Sequence, residues 1–235
     1  MTKDRFVFSD GGASLRHLFK LDPAKTLPDG AGERLIRSGT DGFIIGGTDG
    51  LNLEATRRLF QEFASFDLPV FVEVSDEAMA MPGASQYLIP MVLNSANVNW
   101  LLGAHHEMVK KYGAFIPWPH VLTEGYCILN PDAKAAQLSE AKTDLTADDV
   151  AAYASIAENM LRLPIFYVEY SGCFGDPRMV QAAKSELTNT KLWYGGGIRT
   201  VEQAREMAAI ADVIVVGNIL YEDFEQALAT AKIDR

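Results

Sequence analysis

An α/β fold, a parallel barrel of eight strands and eight connecting segments, is what this sequence predicts, on three observations. Short β-branched and aromatic runs alternate with longer helical patterns, the signature of a parallel sheet. The runs number eight, the strand count of a closed barrel. Several of them also end in residues that hold anions, metals or protons instead of ordinary turn chemistry. These endings are Lys20-Leu21-Asp22-Pro23, Gly46-Gly47-Thr48-Asp49-Gly50, Tyr167-Val168-Glu169-Tyr170-Ser171-Gly172, Gly195-Gly196-Gly197-Ile198 and Gly217-Asn218. An active site built at one end of a barrel leaves that pattern.

In chain order, residues 1–14 are polar and glycine-bearing and read as an N-terminal extension of a single domain spanning 1–235. Strands are expected at His17–Leu21, Phe43–Gly46, Val70–Val74, Tyr87–Leu93, Val121–Leu129, Ile165–Tyr170, Leu192–Tyr194 and Val213–Val216. Helix starts are punctuated clearly. Thr146-Ala147-Asp148-Asp149 places a cap residue and two carboxylates where the helix dipole favours them. Thr200-Val201-Glu202-Gln203 matches a capping box. One connection breaks the rule: between the third and fourth strands lie only Ser75 to Gln86, broken by Pro82-Gly83, too short for a full helix. A loop is expected there, leaving a gap in the outer ring. That gap is either the mouth of a groove or a degenerate repeat.

Composition narrows the function. A hydrophobic share of 48% suffices for a large core, and the length of 235 residues suits one barrel. The net charge of −10 argues against a nucleic-acid partner, which needs a basic face, but leaves room for a small anionic substrate. Two cysteines, Cys127 and Cys173, are too few for a disulfide framework and favour a reducing, cytoplasmic setting. No apolar run reaches the length of a membrane span, so a soluble protein is expected, with peripheral membrane contact left open.

Alternation sends residues i and i+2 of a strand to one face. Lys20 and Asp22 therefore share a face, with Phe19 and Leu21 opposite. Lys and Asp are seldom buried without a partner or a task, so the pair is either an ion pair plugging the barrel end or part of a site. Tyr167 and Glu169 likewise face together, with Phe166, Val168 and Tyr170 opposite, and Glu169 is a candidate general base or a structural plug. The glycine triplet at 195–197 lets the backbone turn and approach a ligand closely, ahead of the helix that Thr200 caps. Together with Gly217-Asn218 it marks the ends of the seventh and eighth strands, where barrels often hold phosphate. Asp22 and Thr48, at the ends of adjacent strands, are hard oxygen donors suited to Mg²⁺. Asp49 reads as a turn residue, and His17, His105 and His106 read as packing or surface residues. Trp100, Ala104, Met108 and Tyr112 recur every fourth residue and form one stripe, either core or the wall of an apolar channel beside the missing helix. Tyr126, expected to be exposed on the same face as Glu124, is a candidate to join that wall.

Six segments, in order, resemble one family. They are Lys-Leu-Asp-Pro (20–23), Ile-Ile-Gly-Gly-Thr-Asp-Gly (44–50), Glu-Gly-Tyr-Cys-Ile-Leu-Asn-Pro-Asp (124–132), Phe-Tyr-Val-Glu-Tyr-Ser-Gly (166–172), Tyr-Gly-Gly-Gly-Ile (194–198) and Val-Val-Gly-Asn (215–218). From about Leu15 to about Ala229 the chain resembles the bacterial heptaprenylglyceryl phosphate synthases, cousins of the archaeal geranylgeranylglyceryl phosphate synthases. The resemblance implies a TIM (β/α)8 barrel lacking its third helix, dimeric, joining sn-glycerol 1-phosphate to a long polyprenyl diphosphate by an ether bond. It implies glycerol phosphate contacts from Lys20, Tyr167, Val168, Glu169, Tyr170, Ser171, Gly172, Gly197, Gly217 and Asn218. It also implies Mg²⁺ on Asp22 and Thr48. Met108 is a departure, since that position tends to be small in long-chain members, and it becomes the candidate stop at the end of a prenyl groove shared with Tyr126. Without the resemblance, the same phosphate loops would also suit a barrel isomerase or aldolase acting on a sugar phosphate, or a binding protein that retains the barrel.

Overall fold

The computed structural model describes residues 15–47 and 52–233, so the N-terminal extension and Thr48 lie outside the described residues. Eight parallel strands close on themselves in sequence order. They are β1 (His17–Leu21), β2 (Gly42–Ile45), β3 (Val70–Glu73), β4 (Gln86–Val92), β5 (Val121–Ile128), β6 (Ile165–Glu169), β7 (Lys191–Gly195) and β8 (Val213–Val216). The seam is the parallel pairing of β1 with β8, Leu18 opposite Val215. Every expected strand is present, with no end displaced by more than one residue.

Alternation sorts the side chains into two apolar layers. Leu18, Ile44, Phe71, Leu88, Tyr167 and Trp193 fill the barrel interior. Phe19, Phe43, Val72, Phe166, Val168 and Tyr194 pack outward under the helices. Phe71, Tyr167 and Trp193 are among the largest side chains with almost no exposure. Burying such side chains contributes roughly 1.5–3 kcal/mol each, so the interior is a packed core and not a pore.

Among the described residues the ring contains α1 (Ala31–Arg37), α2 (Leu53–Ala64), α3 (Gly103–Tyr112), α4 (Lys134–Ser139), α5 (Ala147–Ser155), α6 (Pro177–Ser185), α7 (Val201–Ala208), α8 (Ile219–Glu222) and α9 (Phe224–Thr230). A π-helical turn, Ile156–Leu161, extends α5. The capping chemistry is partly as expected. Thr146 and Asp149 make a full capping box. At α7, Thr200 accepts from the Gln203 N–H, but the Gln203 side chain accepts from Arg199 N–H at 2.8 Å, one residue before the cap, so the second half of that box is displaced.

Between β3 and β4 there is no α-helix, only a 3₁₀ turn over Glu77–Met79. The expected gap is therefore present. Beside it stands α3, which has no buried residue. Trp100, Met108 and Tyr112 are half-buried and Ala104 is exposed. The core reading of this stripe holds only for Trp100, which packs against the interior cluster, while α3 itself has no buried residue.

Candidate active site

The site begins with a lysine that a barrel interior would not tolerate alone. Lys20, on the inner face of β1, donates to both carboxylate oxygens of Glu73 on β3, at 2.7 and 2.8 Å. The bridge crosses over β2, and Gly46 makes that possible. A Cβ on Gly46 would lie 2.9 Å from the Glu73 Cβ and 3.1 Å from its Oε1. The glycine after Ile44-Ile45 is thus the opening through which β3 reaches β1. Tyr126 donates to Oε2 of the same carboxylate at 2.6 Å, and its ring stacks on Tyr167 at 4.4 Å. Tyr126 is therefore buried inside the barrel, and its expected exposure is corrected. It does share the inner face with Glu124, as alternation requires.

One step above Tyr167 on β6 sits Glu169, 7% exposed and in register with Gly195. Burial raises its pKa, the Lys20 ammonium opposes the rise, and Glu73 adds to it, while hydrogen bonds at Ser171 pull the other way. The balance pushes the carboxyl up to about 7. A group that binds and releases a proton near neutrality, at the end of a barrel strand, is suited to general base catalysis. Burial alone would depress the Lys20 ammonium, but the Glu73, Glu169 and Glu124 carboxyls outweigh it and hold its pKa above the ordinary value. Lys20 is the charged partner at the centre of the cluster.

Two of these acids carry no weight in the sequence reading. Glu73 and Glu124 occupy inward positions of strands buried on both faces, where an unpaired acid is expensive. An acid in such a strand is the signal that could have found them. Glu124 is fully buried, and neither of its oxygens has a hydrogen-bond partner among the described residues. Burial, then the neighbouring Glu73, pushes its pKa well above the ordinary carboxylate value.

The rim beside this cluster is built by the chain ends of β6, β7, β8 and β1. A Cβ on Gly217 would lie 3.6 Å from the Lys20 carbonyl oxygen, so β8 ends against β1. Asp22 N–H donates to the Tyr221 hydroxyl at 2.8 Å, and its Oδ1 accepts from Ala24 N–H at 2.9 Å. Lys25 links the two ends by donating to Asn218 Oδ1 at 3.1 Å. Over β7, the loop after β6 lies directly on the glycines. Cβ atoms on Gly196 and Gly197 would meet Tyr170 at 2.5 Å and the Cys173–Phe174 peptide at 2.2 Å, with φ of +142° and +55°. The Gly175 N–H donates to the Tyr194 hydroxyl, which donates in turn to the Gly196 carbonyl, both at 2.8 Å. Asn130 donates to the Ser171 carbonyl at 2.6 Å. The triplet's freedom of approach is thus used first by the protein's own loop.

The structure brings Lys20, Tyr167 and Glu169 together in the interior and sets Asp22, Gly217 and Asn218 on the adjoining rim. It does not bring in the side chains of Val168 and Tyr170, which pack in the outer layer. Ser171 and Gly172 lie exposed in the loop. Met108 stands apart on α3. His17 is buried, bridging Thr40 and Thr230, and burial lowers its pKa to about 3, so it is a packing residue. His105 meets the Pro90 carbonyl. Among the described residues no group of three or more His, Cys, Asp or Glu side chains is placed to hold a metal. Of the two expected Mg²⁺ donors, only Asp22 is among the described residues. Its side chain is 26% exposed at the rim, with Oδ2 turned toward Lys25 at 4.0 Å.

Fold and site together define a glycine-rimmed (β/α)8 barrel with one ring position open. Residues 13–233 match the model of the PcrB family, and the chain belongs to that family. It is 60% identical over 221 residues to the heptaprenylglyceryl phosphate synthase of Listeria innocua, covering 94% of this chain and 98% of that one. With the enzyme of the same name from Geobacillus kaustophilus it shares 52% over 215 residues, 92% and 90% of the two chains. Among solved structures it is similar to (S)-3-O-geranylgeranylglyceryl phosphate synthase from Thermoplasma acidophilum in complex with sn-glycerol-1-phosphate. The TM-score is 0.80 at 24% identity, covering 93% and 91% of the chains, a likeness of fold.

Proposed function

We propose that this chain is a prenyltransferase that joins sn-glycerol 1-phosphate to a long-chain polyprenyl diphosphate, heptaprenyl in the first instance, through an ether bond with release of pyrophosphate. The observation that carries the reading is Glu169: a carboxyl poised near neutrality beside Lys20, at the rim where three glycine-bearing strand ends meet. In the reaction the glycerol 3-hydroxyl oxygen forms a bond to the allylic carbon. The bond from that carbon to the diphosphate breaks, its electron pair leaving with pyrophosphate, and Glu169 accepts the hydroxyl proton. Lys20 orients the acceptor by exchanging Glu73 for the incoming anion, while Gly197, Gly217 and Asn218 hold its phosphate. Tyr126 and Tyr167 exclude water from below.

Asp22 and Thr48 are the residues that would hold Mg²⁺, which would supply the charge neutralisation that a departing diphosphate needs. The donor's tail lies along the stripe of α3, with Met108 at its far end. The same reading carries one barrel domain with residues 1–14 as an extension, and a cytoplasmic homodimer with peripheral membrane contact. Two free cysteines support the reducing compartment. Exposed Met160 and Leu161 offer an apolar face for self-association, and exposed Phe115 and Trp118 one for lipid. Incubation with labelled glycerol 1-phosphate and heptaprenyl diphosphate is expected to yield the ether, and the 3-phosphate mirror form little. No ether from any prenyl donor would overturn the proposal. Turnover of a sugar phosphate in its place would favour the isomerase or aldolase reading.

A further inference from the structure

α3 stands beside the open ring position, and none of its residues is buried. Its N-terminal side is tied by Trp100, which packs against the interior cluster, and by His105 on the Pro90 carbonyl at 2.9 Å. Its C-terminal end is held differently. Lys111 donates to both oxygens of Glu77 at 2.8 and 3.0 Å, and the Tyr112 hydroxyl donates to the same carboxylate. Lys111 also lies over the Tyr112 ring at 4.8 Å, so all three side chains converge. Glu77 belongs to the 3₁₀ turn that replaces the missing helix, and that turn is anchored. Met79, two residues on, is fully buried in the outer layer and receives the Thr56 hydroxyl on its sulfur at 3.6 Å. A fixed turn thus grips the loose end of a helix without buried residues. Met108 lies on the stripe between the two anchored ends, Trp100 and Tyr112.

We propose that Glu77, Lys111 and Tyr112 form a clamp that sets how far α3 stands from the barrel, which makes them positioning residues for donor chain length. This rests on the prenyl transfer reading of the site. None of the three touches the reacting atoms. Their effect passes through the placement of Met108 and the width of the trench in front of it. With the clamp closed, the trench has one width and the stop one height. With it open, α3 swings on its Trp100 end and longer tails are admitted. A single exposed ion pair is weak, so the effect is one of selectivity and not of overall stability.

The test compares the full-length wild type with Glu77→Lys and with the charge swap Glu77→Lys/Lys111→Glu. Donors of increasing chain length are assayed at fixed glycerol 1-phosphate. The single variant is expected to shift the ratio of kcat/KM for long over short donors by about three- to fivefold, the range a surface pair supports. The shift should fall in the donor KM, with kcat for the shortest donor and the KM for glycerol phosphate unchanged. The swap should restore the wild-type ratio. Backbone amides of residues 103–112 should exchange faster in the single variant at an unchanged melting temperature, and return in the swap. An unaltered donor ratio together with unaltered exchange would overturn the clamp. Exchange reads the clamp without turnover, so a wild type that makes no ether would sink the prenyl transfer reading separately.

Discussion

The two sides of the barrel mouth are built on opposite principles. From β6 round to β1 the rim is tight. Gly196 and Gly197 sit beneath the 170–175 loop, and Tyr194, Asn130 and Tyr221 bond the segments to one another. From β3 to β5 the rim is open, with a 3₁₀ turn where a helix would stand and α3 lying alongside without a buried residue. A small dianion needs donors at fixed positions, and loop-on-glycine packing supplies that rigidity. An apolar chain needs length and surface, which a gap in the ring provides. Under the proposed function, one fold would thus serve two unlike substrates by distributing its packing unevenly.

The comparison breaks first at the tight side. Glu169→Gln should lower kcat/KM by about 10²–10⁴-fold, the usual weight of a general base. Wild-type activity should rise with pH through about 7, as the raised Glu169 carboxyl loses its proton, and the variant should lack that limb. A variant that keeps both rate and limb would remove Glu169 from the chemistry. Next comes Gly197→Ala. Its methyl would collide with the Cys173–Phe174 peptide at a φ of +55°. Overpacking of this kind costs about 1–3 kcal/mol, so glycerol 1-phosphate affinity should fall about ten- to hundredfold, measured by titration calorimetry.

The open side answers more gently. Each isoprene unit has five carbons, and burial contributes about 0.8 kcal/mol per carbon, so up to about 4 kcal/mol favours each added unit before ordering costs. Affinity alone would therefore select ever longer tails, and the limit has to be steric. Met108→Ala should move the preferred donor to a longer chain with little change in melting temperature. An identical product profile across donors would reject Met108 as the stop.

The smallest effect lies beneath both sides. Glu124 has its pKa raised by burial, so its favourable contribution to stability is complete below the ordinary Glu value and is lost as pH rises toward the folded value. Glu124→Gln should therefore melt above the wild type at pH 8, and the gap should close toward pH 4. A gap that does not change with pH would mean that Glu124 is ionised in the fold.

Much of this was legible from residue order. Alternation along β6 separates Tyr167 and Glu169 from Phe166, Val168 and Tyr170, and the interior and outer layers divide along that line. Pro82-Gly83 and the short span from Ser75 to Gln86 announce the missing helix. Both are local properties, set by the period of a strand and by the residues a helix cannot contain. The α3 stripe was ambiguous, because a four-residue period marks an apolar face without saying what the face meets.

Contacts between distant strands decided the rest. Lys20 and Glu73 are 53 residues apart, and only barrel closure over Gly46 makes them a pair. Tyr126 reads as a groove residue until β3 brings Glu73 to its hydroxyl. The near-neutral proton affinity of Glu169 belongs to the same class, since it is a sum of burial and of charges carried on other strands. Local order chose the elements and their faces. Electrostatics, which depends on distance through space and on how much water is left, could be settled only once the barrel had closed.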